Sequence, residues 1–350
     1  MAAEKSTSPV TLHDVARVAG VSLATASRSL NGSARKVADE YRERVLAAAA
    51  SLNYTPNLSA QAVAKGTSAT VVLLVADIAD PYFSSIASGV IDAASTANLV
   101  VSMAVTERDS ARELELVRTL RGQRPRVMIL AGSRFSDDPS EAALRQELLA
   151  YEQSGGRVSF ISKNDLPFST VPLDNFAGAK ALAVRLVELG YRNFAAVTRD
   201  RAIRTADDRL SGFLAGLAEH GLAIPEHRIA RTAFTRDGGY NGAERLVDAG
   251  LAEVELIFAV NDVMAVGVMS ALRDRGLEPG VDIAVAGYDD IPTVRDITPA
   301  LTTVRIPLAE VGRRALNLAL LPHATTTALD DALRTEVVVR ASTPPRTPRA

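Results

Sequence analysis

From Thr70 onward the chain alternates between short apolar runs and stretches of helical periodicity, and no other feature restricts its fold as much. The runs are TVVLLVAD, LVVSMAV, RVMILAG, RVSFIS, NFAAVT, RIARTAF, VELIFAV and VDIAVAGYDD, with helical patterns between them around 83–97, 109–122 and 140–153 in the first half. Runs that lack strict polar alternation read as strands buried on both faces, and strands separated by helices read as parallel sheets under helical layers. So many strand–helix units over roughly 230 residues predict an α/β body of two doubly wound lobes, with a ligand crevice beyond the carboxyl ends of the strands. The closing run LTTVRI, a helix from Pro307 to about Leu320 and the run TEVVVRAS predict that the chain passes back between the lobes.

The first residues follow a different rhythm. Thr11 is placed to cap a helix and Asp14 to return the bond, with Leu12, Val15, Ala16 and Val18 forming its apolar stripe. Gly20 ends that run, and Ser22 caps a second helix reaching Leu30, in which Ala26 and Leu30 pack inward with Val21. Leu23, Ala24, Ser27 and Arg28 consequently share its outward face. After the loop NGSARK, Tyr41, Val45, Ala48 and Leu52 fall on one side of a third helix. Three short helices close an all-α core of helix-turn-helix type. Beyond Tyr54-Thr55-Pro56-Asn57, LSAQAVAK makes a helix of barely two turns, too short to hold alone in water and in need of DNA or a partner chain.

Composition narrows the function. With no cysteine, disulfides, thiolate metal sites and cysteine nucleophiles are excluded, and the four histidines lack ligand spacing, so no metal or cofactor is expected. No run of eighteen apolar residues and no secretory leader is present, which predicts a cytoplasmic protein without membrane contact. Residues 1–66 hold eight Lys and Arg against five Asp and Glu, a charge of +3 that leaves −5 on the remainder. A basic small module on an acidic body suits phosphate binding at one end only.

The stretch TLHDVARVAGVSLATASRSLNG resembles the LacI/GalR family of bacterial transcription regulators. The resemblance continues in family order through LNYTPN, DPYF, LDNFAGA, DDRLSGF, AVNDVMAVGVMSAL, AGYDDIP, LTTVRIPLAEVGRRA and VVVRAST. It implies a homodimer on a near-palindromic double-stranded DNA operator. Leu23, Ala24 and Arg28 match the family's base-reading positions. Arg28 suits a forked contact to guanine and Leu23 a thymine methyl. Thr11, Ser22, Thr25, Ser27 and Asn31 match phosphate-holding positions, and Arg35 and Lys36 in the loop are expected to touch phosphate. Asn57, Ala60, Val63 and Lys65 fall on the hinge helix that pairs in the minor groove. Val63 stands where leucine is usual, and a shorter β-branched wedge unstacks the central step less fully.

The resemblance implies that the body has the type I periplasmic-binding-protein fold, with a small effector in its crevice. Tyr82, Phe83, Arg209, Phe234, Asn261 and Asp289 match its ligand-contacting positions. Their mix of arginine, amide, carboxylate and aromatic ring suits a sugar. A nucleoside or nucleobase corepressor is the alternative, and a cytoplasmic sugar-binding protein or an enzyme with a DNA-binding head is more distant. No nucleotide or hydrolase motif supports an enzyme. Asp289 or Asp290 could equally cap a turn, Asn261 a helix, and Phe234 could be core. Ile306 replaces a common glutamine, and Ser162-Lys163 a frequent aspartate–arginine pair, changes expected to alter polarity near the crevice. The expected domains are a disordered tail over 1–9, a DNA-binding domain over 10–55, a hinge over 56–68, a body over 69–342 and a flexible tail over 343–350. Within the body, lobe 1 takes about 69–170 plus 301–325, and lobe 2 about 171–298 plus 330–342.

Overall fold

The computed structural model describes residues 10–31, 37–55, 67–132, 138–163, 165–200, 203–251, 253–321 and 333–346. The chain divides into two compact units, Met1–Ser68 and Ala69–Ala350.

The first unit holds α1 (Leu12–Ala19), α2 (Leu23–Asn31) and α3 (Asp39–Ser51). Thr11 and Asp14 form a reciprocal capping box at the start of α1. Gly20 stops α1 in the left-handed conformation at φ 65°, which glycine adopts without the Cβ clash. Its core is Val15, Ala16, Ala19, Ala26, Val45, Ala48 and Ala49. Two expected core positions differ. Val18 is 50% exposed, and Ala19 takes the inward place instead. Tyr41 is 44% exposed, with the Arg44 guanidinium over its ring, because so small an alanine-rich core has no room for a phenol. Arg44 also donates to the Ala19 carbonyl at 2.5 Å, tying α3 to the end of α1.

The second unit contains two parallel sheets. In lobe 1, β1 (Thr70–Val75), β2 (Val100–Val105), β3 (Val127–Ala131), β4 (Arg157–Ile161) and β5 (Ser169–Val171) lie in the order β2-β1-β3-β4-β5. Successive side chains face opposite sides of a strand, so Val71, Leu73 and Val75 join one core cluster while Val72 and Leu74 join another. Helices α4 (Pro81–Thr96), α5 (Ser110–Gly122) and α6 (Glu141–Gln153) cover this sheet. The run LVVSMAV is not a doubly buried strand. It forms the sheet edge, with Val100 64% exposed, since β1 is its single neighbour among the described residues.

In lobe 2, β6 (Phe194–Arg199), β7 (Ile229–Thr232), β8 (Leu256–Ala259) and β9 (Ala284–Ala286) lie in the order β7-β6-β8-β9. The helix pair α7 (Asn175–Glu188) and α8 (Arg204–Ala218) packs together, as does the pair α9 (Arg236–Ala249) and α10 (Asp262–Asp274). After the short α11 (Thr293–Asp296), β10 (Thr303–Arg305) pairs antiparallel with β11 (Glu336–Val338), and α12 (Leu308–Leu320) lies between them in sequence. Helix α12 packs on α4 and β4 of lobe 1.

Residues 301–305 do not join lobe 1. Thr302 bridges Ala286 of β9 and Asp289 donates to the Val304 carbonyl, so this segment continues lobe 2 and the chain enters lobe 1 only near Ile306. The tail from 343 is not free at its start. Thr343 is fully buried, Tyr191 donates to the Pro344 carbonyl and the Arg346 amide to that of Leu189. Residues 347–350 lie outside the described residues.

The crossovers converge on one buried charge. The Asp290 carboxylate, 0% exposed, receives Arg295 at 3.1 Å, Arg305 at 2.7 Å and Arg340 at 2.6 Å. These guanidiniums hold it below the ordinary carboxylate range against the opposing push of burial. Because three guanidiniums share the carboxylate, loss of the half-exposed Arg295 alone leaves Asp290 paired with Arg305 and Arg340.

Candidate functional site

Two surfaces carry chemistry. On α2, Leu23 is 40% exposed, and Ala24 and Arg28 are exposed beside it. Arg28 has no ion-pair partner among the described residues, so its forked donors are available. Ser22 and Thr25 fix the helix start, with the Thr25 amide donating to the Ser22 hydroxyl at 3.1 Å and the two hydroxyls 2.8 Å apart. Ser27 is half-buried, and the Thr11 hydroxyl is engaged with Asp14 at 2.7 Å. The side chain of Asn31 lies outside the described residues, as do Arg35, Lys36, Asn57, Ala60, Val63 and Lys65.

The second surface is the cleft between the two sheets, reached from the carboxyl ends of their strands. Arg209, on α8, is 2% exposed, and its position is fixed from three directions. It donates through Nε to Asn175 Oδ1 at 2.9 Å, through Nη1 to the Val260 carbonyl at 2.9 Å and through Nη2 to Asp289 Oδ1 at 2.6 Å. The Tyr288 ring lies 4.0 Å beneath the guanidinium. Asp289 sits just past β9 at φ 123° and Asp290 at φ 57°, two consecutive non-glycine residues in a conformation that costs energy unless the surroundings enforce it. The arginine cluster on Asp290 and the Arg209 pair on Asp289 supply that enforcement. Burial pushes the Asp289 carboxyl up against the pull of Arg209, while the guanidinium keeps its charge.

All six expected crevice residues line this cleft. Tyr82 and Phe83 enter from the start of α4, whose first turn is capped by the buried Asp80, and their rings meet edge to face at 5.0 Å. Phe234 faces them from lobe 2. Asn261 does both things the sequence allowed. Its Oδ1 caps α10 by accepting from the Met264 amide at 2.9 Å, while its amide nitrogen has no partner among the described residues. The alternative for Phe234 coexists with cleft exposure too, since it is 9% exposed and belongs to the core cluster, whereas the Asp289 carboxylate accepts from Arg209.

Sequence reasoning missed Arg108. Past the end of β2, at φ 59°, its guanidinium lies 5.4 Å over the Phe234 ring and 6.0 Å over Phe83, and 3.4 Å and 3.6 Å from Asp77 and Asp80. It is the lobe 1 cation that reaches the lobe 2 aromatic. Its signal was its place directly after a strand, where a doubly wound sheet puts ligand contacts. Thr205 lines the cleft as well and approaches the Ser162 hydroxyl at 3.3 Å. Ile306 does not face this cleft; it is buried beneath a separate groove.

The cleft cavity is about 30 Å³, room for roughly two water molecules. A ligand the size of a sugar needs several hundred. The lining side chains therefore nearly fill the cleft.

A helix-turn-helix head with an exposed reading face, joined in sequence to a two-lobed body with a polar and aromatic cleft, defines a DNA-binding protein with a small-molecule sensing domain. The family model for bacterial regulatory proteins of the lacI family matches residues 11–57, and that for the periplasmic binding protein-like domain matches residues 183–343. The chain belongs to the LacI/GalR family of transcriptional regulators. It is 32% identical over 319 residues to the HTH-type transcriptional regulator GalS of Salmonella typhimurium, covering 91% of each chain. Among solved structures, it is similar to the lac repressor dimer bound to operator and the anti-inducer ONPF, with TM-score 0.81, 26% identity and coverage of 96% of this chain and 100% of the other. It is also similar to the transcriptional regulator CelR in complex with cellobiose, with TM-score 0.69, 28% identity and coverage of 95% and 99%. Among the described residues, no helix is long and apolar enough to cross a membrane, and no three potential metal ligands cluster.

Proposed function

We propose that this regulator is a repressor that binds a near-palindromic operator as a homodimer and is controlled by a sugar in the interlobe cleft. The observation that carries the DNA half is the exposed face of α2, where Leu23, Ala24 and Arg28 stand together with no ion-pair partner for the arginine among the described residues. Leu23 and Ala24 select bases by apolar fit, and Arg28 reads guanine O6 and N7. Thr11, Ser22, Thr25, Ser27 and Asn31 position the head on phosphates, joined by Arg35 and Lys36. Asn57, Ala60, Val63 and Lys65 belong to a hinge that folds in the minor groove.

In the cleft, Arg209, Asn261 and Asp289 offer donors and an acceptor to hydroxyl groups, while Phe234, Tyr82 and Phe83 cover an apolar ring face. The operator and cellobiose complexes of the similar structures support both halves. The protein acts in the cytoplasm, without catalysis or cofactor. Because the cavity is nearly filled, the sugar binds by separating the lobes, and the changed exit geometry of the paired hinges alters operator affinity.

Selection of operators from random DNA with the purified protein tests this directly. A palindromic site should emerge, and Arg28→Ala should weaken it by about 10–100-fold while relaxing preference at one position per half-site. No enrichment at moderate salt would reject the DNA reading. A metabolite screen against the selected operator should then return a sugar; a nucleoside in its place would reject the sugar reading alone.

A further inference from the structure

Outside the cleft, the body carries a more open cavity, and the function above leaves it unused. It is a groove of about 400 Å³ on the outer side of the crossovers, between α11, β10 and the first turn of α12. Ser85 of α4 and Ala309 of α12 line it from lobe 1, and Pro292 and Arg295 from the segment that leaves lobe 2. Arg295, Arg305 and Arg313 line it together with the carboxylates Asp290 and Glu310. Their side chains are 55%, 40% and 43% exposed.

Each guanidinium is anchored by a carboxylate but not exhausted by it. Arg295 gives Nη2 to Asp290, Arg305 gives Nε to Asp290 and Nη1 to Glu336, and Arg313 gives Nη1 to Glu310. A guanidinium has five N–H donors, so each retains several without a partner among the described residues. The anchoring orders the arginines in advance, which lowers the entropic cost of recruiting them to a ligand. Asp290 is buried and also paired with Arg340, and Glu310 is also paired with Arg314, so with these two arginines counted the groove keeps a net positive charge from Arg295, Arg305 and Arg313. Helix α12 has Pro307 at its N-cap position with no side-chain cap, and the amides of Ala309 and Glu310 have no acceptor among the described residues, adding backbone donors and the positive end of the helix. Beneath them Ile306 makes an apolar floor, 4% exposed.

We propose that this groove is a second ligand site, which takes a phosphorylated small metabolite. Donors come from three separate elements, α11, β10 and α12, and guanidiniums pair with phosphate oxygens through forked N–H groups. The volume exceeds that of a phosphate alone, and the apolar floor accommodates a carbon skeleton. Because both lobes contribute to the lining, the occupied groove stabilises one lobe angle.

The test is calorimetric titration of the full-length protein with inorganic phosphate and with glycerol phosphate at constant ionic strength, with citrate and sodium chloride as further titrants. One saturable site is expected for both phosphates, tighter for glycerol phosphate. Affinity should fall at least tenfold in the double variant Arg295→Gln with Arg313→Gln and stay unchanged in Phe234→Ala, which alters the central cleft. Circular dichroism and operator binding without added phosphate should match the parent in the double variant. The proposal is overturned by phosphate binding that survives the double substitution, by binding lost in Phe234→Ala instead, by citrate binding more tightly than glycerol phosphate, or by no saturable heat. None of these outcomes depends on whether the cleft ligand is a sugar.

Discussion

Asp262 shows how a single buried group sets a pH response. At the first position of α10 it is 0% exposed, accepting from the Thr303 hydroxyl at 2.6 Å and the Ile291 amide at 2.9 Å. Burial pushes its carboxyl up to about 7, against those two hydrogen bonds. The folded state thus holds a proton that the unfolded chain, with a carboxyl near ~4, has already released. The associated stability is complete below that unfolded value and drains as pH rises through about 7. The urea midpoint of the body should therefore decline between pH 5 and pH 8, with Asp289, raised by burial as well, contributing in the same sense. Asp262→Asn, neutral throughout, should flatten that decline; a parent midpoint that climbs over this range would contradict the assignment. At this scale the sequence was readable where a side chain acts on its own backbone. The Thr11–Asp14 box and Ser22 are local, and so were visible, whereas the arginines on Asp290 and the pairing of Asn175 with Arg209 join residues far apart in the chain and were not.

At the scale of elements, the contact between α4 and α12 is governed by two glycines. A Cβ on Gly312 would lie 2.1 Å from the Ile86 carbonyl oxygen, and one on Gly89 would lie 1.7 Å from that of Ala309. Alanine is the better helix former by about 1 kcal/mol. The clash is with rigid backbone, however, and overpacking of this kind costs typically 1–3 kcal/mol or more. Gly312→Ala should thus be net destabilising by roughly 2 kcal/mol in urea unfolding, since the clash outweighs the propensity gain; an unchanged or raised midpoint would show that the helices can separate at no cost. The strand and helix runs themselves were legible because periodicity is a local signal. What failed was assignment of neighbours. LVVSMAV reads as apolar whether it lies inside a sheet or at its edge, and residues 301–305 give no sign of which lobe they continue. Arg108 was missed for the same reason, because only the fold brings it to Phe234.

For the whole molecule, the narrow cleft sets the direction of the expected motion. A cavity of about 30 Å³ cannot admit a pyranose, so binding must widen the gap between lobes. The chain has no cysteine, which lets dyes be placed at will. Ile78→Cys on lobe 1 and Asp237→Cys on lobe 2 are exposed positions for such a pair. Energy transfer between them should decrease at saturating effector; an unchanged signal would sink the opening model. The route of the chain through the two lobes also bears on how a cell makes this protein. Helix α12 closes the α4 face of lobe 1 with Val311, Ala315 and Leu316, yet it is synthesised after all four strands of the parallel lobe 2 sheet, β6 to β9. The earlier-made lobe must wait on the ribosome with that apolar face bare until the later-made lobe has emerged, and completion runs against the order of synthesis. Contacts this distant in sequence are slow to form and prone to misassembly in the interval. Lobe 1 is accordingly where a nascent chain of this protein most needs shelter.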